Sequence, residues 1–221
     1  MFNAQSVRLR FALAAMAASF VLPSASASAQ ARTQITPFFA SFYSISAYAT
    51  DIDEFGTGAL FNERLSNSPT LGVRLSVAVT PKFGVEGQVA FNRSGRQATP
   101  SDSGLAGFYL KGNVLTASGR VTYHPRRSNF RGILGVGYEK RGGDAWDESK
   151  FSGFTGKFDK SIIGGVIGFG ARANITPKFS LDLDVEAFLY SSDADTKSTL
   201  FKSRFQQDIL VSIGVPIKLG K

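Results

Sequence analysis

Apolar and polar residues alternate one by one along most of the chain, and this period of two limits the fold more than any other feature. In Leu71–Val79 the odd positions are aliphatic, and the even positions are small or polar and include Arg74. Leu181–Tyr190 and the segment that begins at Ile209 repeat the pattern. Successive side chains of a β-strand point to opposite faces, so each segment predicts a strand with one apolar and one polar face.

Eight segments of this kind predict an all-β chain of eight antiparallel strands, and a helical period is scarcely visible after the first residues. The predicted strands are 34–49, 69–80, 83–94, 108–124, 130–141, 160–175, 180–191 and 204–219. In the first strand the pattern does not reveal which face is which, because Phe38 and Phe39 fall on opposite sides.

The connections between these strands are alternately short and long. The short ones are Pro turns: TPKFG at Thr80–Gly84, HPRRSNF at His124–Phe130 and TPKFS at Thr176–Ser180. The long ones are polar: Thr50–Pro69, Arg93–Gly107, Arg141–Lys157 and Ser191–Ser203. Consecutive antiparallel strands place successive connections at opposite ends, so all short turns share one end. That layout is typical of an up-and-down transmembrane barrel of the bacterial outer membrane.

A water-soluble sandwich or lipocalin-like barrel is the alternative, since alternation alone fits it as well. Three features favour the membrane barrel. The strands have about the ten residues that a tilted membrane strand needs. Aromatic residues lie near strand ends, where an interfacial girdle belongs: Phe83, Tyr123, Phe179 and Tyr190. The polar faces carry charges of both signs, which predicts an interior charge network: Arg74, Glu86, Arg120, Arg131, Glu139, Arg172, Asp182, Asp184, Glu186 and Asp208.

The first residues predict a cleaved signal peptide over 1–29, followed by a barrel domain over 30–221. Arg8 and Arg10 precede a short apolar run, Phe11–Leu22, and small residues follow it. That run is too short for the ~20 apolar residues of a spanning helix. The chain has no cysteine, which excludes thiol chemistry and disulfides.

The hairpin sequence LGVRLSVAVTPKFGVEGQVAF resembles a hairpin of the outer membrane protein beta-barrel domain family, in which Gly-x-Arg-Leu is followed by Thr-Pro-x-Phe/Leu-Gly-x-Glu. The resemblance implies a small eight-stranded barrel with the architecture of the OmpA transmembrane domain. The sequence departs from that pattern twice. No peptidoglycan-binding domain is expected after the barrel, and the last strand, VPIKLGK, lacks the terminal aromatic residue that insertion machinery usually reads.

No catalytic residue, metal site or cofactor is predicted. The single histidine, His124, falls in a short turn, whereas the lipid A deacylases that resemble this fold act at the opposite end. The acidic series Asp182, Asp184 and Glu186 lies on the face that also carries arginines, so paired charge explains it better than acid–base chemistry. Acidic pairs in the long loops lack the spacing of a calcium loop. Glycines at Gly164–Gly170 predict strand bending and no phosphate loop.

The expected partners are outer-membrane lipid and lipopolysaccharide, an extracellular ligand of the long loops, and the barrel insertion machinery during assembly. The formal charge of +8 could indicate nucleic acid, but an exported chain rarely meets it, and no nucleic-acid partner is predicted. Loop aromatics are the binding candidates: Trp146, Phe151 and Phe154. The alternative is that they fold back onto the barrel rim. The predicted function is a structural or surface-interaction role, with a porin-like narrow channel, a transporter of small hydrophobic molecules and a lipid-modifying enzyme as alternatives.

Overall fold

A computed structural model describes residues 33–46, 49–52, 61–101, 106–125, 128–147, 160–177, 179–192 and 204–219. The strands are β1 (Thr33–Ser44), β2 (Ala49–Ile52), β3 (Phe61–Leu65), β4 (Ser68–Ala78), β5 (Phe83–Asn92), β6 (Arg96–Pro100), β7 (Phe108–Leu110), β8 (Asn113–Tyr123), β9 (Phe130–Gly142), β10 (Ser161–Asn174), β11 (Ser180–Ser192), β12 (Arg204–Gly214) and β13 (Ile217–Leu219). One 3-10 turn spans Asp144–Trp146. No helix among the described residues is long and apolar enough to cross a membrane.

Eight antiparallel strands form a closed barrel in the order β1, β4, β5, β8, β9, β10, β11 and β12, and β12 returns to pair with β1. The short β13 continues β12 along β1, with Ile217 opposite Ile35. Val215 and Pro216 separate the two strands, and Pro216 has no N–H to donate to the ladder. The predicted fold class, a closed eight-stranded antiparallel barrel, is confirmed.

The two faces of the barrel wall differ in chemistry, and β4 shows the difference clearly. On β4 the side chains of Leu71, Val73 and Leu75 are exposed on the outside, whereas Thr70 and Arg74 are buried inside. An apolar outer face and a polar inner face are what a barrel surrounded by lipid requires. The short turns lie at one end of this wall, called the short-turn end, and the longer connections lie at the long-loop end.

The repeated TPKF sequence makes the same hydrogen bonds in both of its turns. The N–H groups of Val79 and Thr80 donate to the carbonyl oxygen of Phe83, each at 3.0 Å, and the Phe83 N–H donates to the Thr80 hydroxyl oxygen at 3.0 Å. Around Phe179 the same three bonds recur, with Thr176 supplying the hydroxyl. A threonine hydroxyl that accepts from a nearby N–H stabilises a tight turn, which explains why the motif occurs twice.

Two of the predicted long loops contain strands of their own. The hairpin β2–β3 follows β1, the hairpin β6–β7 follows β5, and β3 pairs with β6 to give a four-stranded sheet, here called the loop sheet. The prediction of long polar connections over Thr50–Pro69 and Arg93–Gly107 did not include these strands. Pairing between two loops satisfies their backbone groups, and local polar composition does not reveal a partner that lies 30 or so residues away.

The structure also settles two side-chain orientations. Phe38 and Phe42 point into the barrel, and Phe39 and Tyr43 point outward. Tyr190, predicted for the outer girdle, is buried inside the barrel, because it shares its side of β11 with the acidic series. At the short-turn end Phe83 and Tyr123 are exposed on the outer face with ring centroids 5.2 Å apart, as a girdle requires.

Candidate functional site in the barrel interior

Eight of the ten predicted interior charges form one continuous series, here called the arginine–carboxylate chain. In spatial order its members are Arg172, Asp182, Arg131, Asp184, Arg74, Glu186, Arg120 and Glu86. Arginines and carboxylates alternate, so each member inside the series contacts at least two opposite charges. It contains four guanidinium groups and four carboxylates, and its formal charges therefore cancel.

The contacts of this chain are short and cross the barrel interior. Arg131 lies 2.7 Å from Asp184 and 3.1 Å from Asp182. Arg120 lies 2.5 Å from Glu186 and 2.9 Å from Glu86. The acids of β11 thereby join arginines from β4, β8, β9 and β10. Except for Arg172, whose side chain is 31% exposed, every member is almost fully buried, so the charges depend on each other for solvation.

Inward glycines provide the space that these side chains occupy. A Cβ on Gly170 would overlap Asp184 Oδ1 and approach Arg131 Nε to 2.9 Å. One on Gly168 would lie 2.6 Å from the Val185 carbonyl oxygen and 3.1 Å from the Glu186 side chain. By contrast, an added Cβ on the outward Gly165 would meet nothing within 4 Å. The glycines predicted to ease bending of β10 thus have a second role on the inner face, because they leave room for buried charge.

Apolar side chains and a cavity occupy the part of the interior nearer the long loops. Phe38 and Ala40 of β1 pack with Ala90, and the Arg74 guanidinium lies 5.2 Å from the centre of the Phe38 ring. Beyond them is a cavity of about 50 Å³, here called the upper cavity. Its lining mixes apolar residues, among them Phe42 and Phe188, with polar ones. Glu186 and Gln88 belong to this lining, and Gln88 Nε2 donates to Glu186 Oε2 at 3.2 Å.

The other two predicted charges, Glu139 and Asp208, line this cavity. Both contact residues beside it, Arg141 and Tyr190, and these four residues are here called the upper cluster. Arg141 Nε donates to Glu139 Oε1 at 2.6 Å, and an Arg141 terminal nitrogen donates to the Tyr190 hydroxyl at 2.6 Å. The Tyr190 hydroxyl in turn donates to Asp208 Oδ2 at 2.9 Å. The predicted charges are therefore divided between two groups at different heights in the barrel.

Trp146 is packed into the barrel mouth and is not exposed to an external partner. It is 2% exposed and clusters with Phe42, Leu65 and Val114. The Arg141 guanidinium lies 4.9 Å from the centre of the indole ring. The Ala145 N–H donates to the Lys111 carbonyl oxygen at 2.9 Å, which fixes the turn to the neighbouring loop. Burial of a large aromatic surface explains this placement. Phe151 and Phe154 lie outside the described residues.

His124 lies directly after β8 at the short-turn end. The backbone N–H of His124 donates to the Lys82 carbonyl oxygen at 2.7 Å. Burial lowers the pKa of His124 below its usual value, and the positive charges of Arg131 and Arg172 act in the same direction. Among the described residues, no group of three or more His, Cys, Asp or Glu is arranged to hold a metal ion.

Sequence reasoning missed several interior residues. Arg141 has the same parity on β9 as Arg131 and Glu139, and it is the last residue of the predicted strand 130–141, so the parity rule applied to the end of that strand would have identified it. Phe38 and Phe42 had no such signal, because both faces of β1 carry aromatic residues. Glu63 and Arg96, which lie 3.4 Å apart beneath the loop sheet, belong to strands that were predicted as loops.

Comparison with known proteins identifies one family. The family described as "Outer membrane protein beta-barrel domain" matches residues 11–206. A search of curated proteins gave no match. The barrel therefore lies in the bacterial outer membrane, and its apolar outer face contacts lipid.

Solved structures with the same fold share little sequence with this chain. The outer membrane protein OprG from Pseudomonas aeruginosa has a TM-score of 0.54 at 17% identity, with 86% of this chain and 97% of that chain covered. The outer membrane protein AlkL, studied in lipid bilayers, has a TM-score of 0.55 at 18% identity, with 90% and 97% covered. At such identities the likeness shows the fold alone.

Proposed function

Since the chain belongs to the outer membrane protein beta-barrel domain family, we propose that it is a non-enzymatic surface-interaction protein that binds its partner through the loop sheet. The observation that carries the proposal is that sheet itself. Two long connections at the long-loop end are paired with each other through β3 and β6, so they form an ordered platform. Binding sites on ordered elements lose less conformational entropy than sites on irregular loops.

The outer face of the loop sheet presents a row of side chains suited to recognition. Arg64 lies opposite Gln97, and Gln97 lies opposite Tyr109. Arg64 and Tyr109 are exposed, while the opposite face buries Glu63 and Leu65. Tyrosine and arginine are enriched in protein binding sites, because each combines a large contact surface with hydrogen-bonding capacity.

The charge near this row favours an anionic partner. Arg93 and Lys111 are exposed next to the sheet, and the carboxylate of Glu63 is buried against Arg96. Among the residues of these two connections whose side chains the structure describes, the exposed charges are positive. Anionic polysaccharide, including the phosphorylated sugars of lipopolysaccharide, is the partner class that this surface fits.

The interior supports a binding role over transport through the barrel. The arginine–carboxylate chain crosses the lumen between the two ends, and an eight-stranded barrel is just wide enough for side chains to fill. An enzymatic role has weak support as well. The sole histidine, His124, lies at the short-turn end, far along the barrel from the loop sheet.

The test compares two double variants that remove the same charge from opposite ends. R64Q/K111Q changes the loop-sheet surface, and K82Q/K218Q changes the short-turn end. Binding of the purified, detergent-solubilised protein to an immobilised anionic polysaccharide is measured against an uncharged polysaccharide. We expect R64Q/K111Q to weaken binding, with a reduced salt dependence, and K82Q/K218Q to bind like wild type. Equal binding by all three proteins would contradict the proposal.

A narrow channel or a transporter of small hydrophobic molecules is the second candidate function, and the upper cavity favours it. Apolar side chains, including Phe42, Phe188 and Leu210, line that cavity. A molecule that entered the upper cavity would have to leave it through the barrel wall, or through the lumen after the arginine–carboxylate chain had rearranged. Conductance in planar bilayers and uptake of an apolar dye by vesicles separate this function from surface binding, since neither signal is expected from a binding protein.

A further inference from the structure

The upper cluster, which lies on and beside the upper cavity, contains more buried negative than positive charge. Glu139 and Asp208 contribute two carboxylates, and Arg141 contributes one guanidinium, among the side chains that the structure describes. Glu186, at the border of the same cavity, is already shared between Arg74 and Arg120. Counted over the described side chains, one negative charge is therefore uncompensated here, whereas the charges of the arginine–carboxylate chain cancel. An uncompensated buried charge is strongly unfavourable, so a positive partner is expected.

Several oxygen atoms around this cavity accept no hydrogen bond from the described residues. They are Thr70 Oγ1, Ser118 Oγ, Glu139 Oε2 and Asp208 Oδ1. All four residues line the upper cavity. Thr70 is 1% exposed, Glu139 is 0% exposed and Asp208 is 2% exposed, so bulk water does not solvate them. Buried polar atoms normally have partners, and four on one cavity indicate an occupant.

Each carboxylate is half satisfied, which leaves its second oxygen for this occupant. Glu139 binds Arg141 through Oε1, and Asp208 accepts from Tyr190 through Oδ2. The Ser44 hydroxyl lies beside Asp208, but it donates its single proton to the Ser46 carbonyl oxygen at 3.4 Å. The four unpaired atoms on this cavity are all oxygens, two from carboxylates and two from hydroxyl groups, and such ligand atoms suit a hard cation.

We infer that the upper cavity binds a partly dehydrated monovalent cation, such as K⁺ or Na⁺, between Glu139 and Asp208. A single positive charge cancels the excess of the cavity, and a divalent ion would overcompensate it. The volume of about 50 Å³ is sufficient for one ion with two or three waters, each of which needs about 10–15 Å³. Thr70 and Ser118 would complete the oxygen shell. The ion would act as a structural counter-charge that holds the upper cluster together.

The first experiment measures the thermal unfolding midpoint of the full-length mature protein in detergent. KCl is compared with N-methylglucamine chloride at equal ionic strength and pH, because the organic cation is too large for the cavity. We expect K⁺ to raise the midpoint of the wild type by at least about 2–4 °C. Equal midpoints in the two salts would overturn the inference.

Two matched aspartate variants distinguish the cavity from a general effect of salt. Asp208→Asn removes the excess charge, so it should abolish the difference between the two salts. Asp182→Asn makes the same change in the arginine–carboxylate chain, so it should lower both midpoints and keep the difference. If Asp208→Asn does not fold, Glu139→Gln serves in its place. A difference that persists in the cavity variants would refute the site.

Two further measurements identify the source of the positive charge. Crystals soaked in Tl⁺ should show an anomalous peak between Glu139 and Asp208. If the wild-type midpoint instead follows pH and not the identity of the cation, a shared proton neutralises the pair and the inference is wrong. Arg204 begins β12 four residues before Asp208. If the unfolding midpoints in the two salts differ only in Arg204→Gln, this arginine supplies the positive charge in the wild type, and the inference is overturned.

Discussion

The two halves of the barrel interior are built on the same strands but are filled differently. Toward the short-turn end, guanidinium groups and carboxylates alternate in one cancelling series, and glycines on the inner wall make room for them. Toward the long-loop end, aromatic rings surround a cavity, and Trp146 is packed above it. One half is therefore held by a continuous series of ion pairs, and the other by aromatic packing and the smaller upper cluster around free volume.

This difference shows that strand parity identifies which side chains point inward but does not determine which contacts they make. Four residues follow one another on the inner side of β11: Asp184, Glu186, Phe188 and Tyr190. The first two form ion pairs and the last two form aromatic contacts, although only six positions separate the ends of the series. The neighbours decide the outcome, since Glu186 faces two arginines whereas Phe188 faces Gly137 and Gly164. Five predictions test whether the halves are as distinct as their contacts indicate.

The largest effect is expected from Glu186→Leu, which breaks the arginine–carboxylate chain. Glu186 contacts Arg74 at 3.3 Å and Arg120 at 2.5 Å, so its loss leaves buried guanidinium charge uncompensated. The free energy of unfolding should fall by about 3–5 kcal/mol. Denaturant titration of the refolded protein in lipid vesicles measures it. The double variant E186L/R120M is the control, and it should recover part of the lost unfolding free energy. If Glu186→Leu alone lost less unfolding free energy than E186L/R120M, the network would be contradicted.

The adjacent residue tests the outer wall at the same height. Val185 points to the outside, so Val185→Arg places a charge in the hydrocarbon region and should cost about 2–4 kcal/mol near the midplane. Val185→Leu is the matched control and should be neutral. The same vesicle titration reports both. If Val185→Arg were as stable as wild type in lipid, the inside–outside assignment of β11 would be wrong.

A pair of glycine variants on β10 separates the inner from the outer surface with a single methyl group. Gly170→Ala would push against Asp184 and Arg131, and overpacking of this kind costs about 1–3 kcal/mol. Gly165→Ala meets nothing within 4 Å and should be neutral or slightly stabilising. The measurement is the difference in unfolding free energy between the two variants. Equal values would mean that the glycines serve only to bend the strand.

The fourth prediction addresses the packing above the upper cavity. Gly143 precedes the turn of Trp146 with φ of 88° and ψ of −177°, a conformation that is essentially restricted to glycine. Gly143→Ala should add about 1–3 kcal/mol of local strain. Release of the turn would relieve most of it, so global unfolding should change less than in Gly170→Ala. Emission of the only tryptophan should shift to the red, and Gly165→Ala should leave that emission unchanged.

Much of the barrel was predictable from the sequence, because a period of two and alternating connection lengths are local signals. The TPKF turns and the orientation of β4 and β11 followed from them directly. The loop sheet was not predictable in the same way, since β3 and β6 are short, polar and stabilised by each other. Pairing between distant segments depends on three-dimensional proximity, which composition does not encode.

The interior charges were predictable as a set but not as an arrangement. Parity identified ten inward charged residues, and the structure places them all inside the barrel. Parity could not show that eight of them cancel in one series while Glu139 and Asp208 belong to a separate cluster. That separation depends on the relative heights of neighbouring strands, which the register fixes. Trp146 illustrates the same limit, because loop aromatics look alike in sequence whether they are packed or exposed.

The smallest expected effect concerns the charge cancellation at the short-turn end. His124 lies near Arg131 and Arg172, and burial together with these cations lowers its folded pKa below the unfolded value of about 6.5. The unfolded state therefore binds a proton more readily than the folded state. The stability that depends on a neutral His124 is fully present above the unfolded pKa of about 6.5, and it is lost as the pH falls through the lowered folded pKa.

His124→Asn should remove this part of the pH dependence and leave stability at pH 8 unchanged. Unfolding titrations at pH 8 and pH 5 measure the difference, with Lys82→Gln as a control for a nearby turn residue. Because His124 is partly solvated, the change should be the smallest of the five. A pH dependence that His124→Asn leaves intact would place the titrating group among the carboxylates, and the arginine–carboxylate chain would then be less well compensated than its contacts indicate.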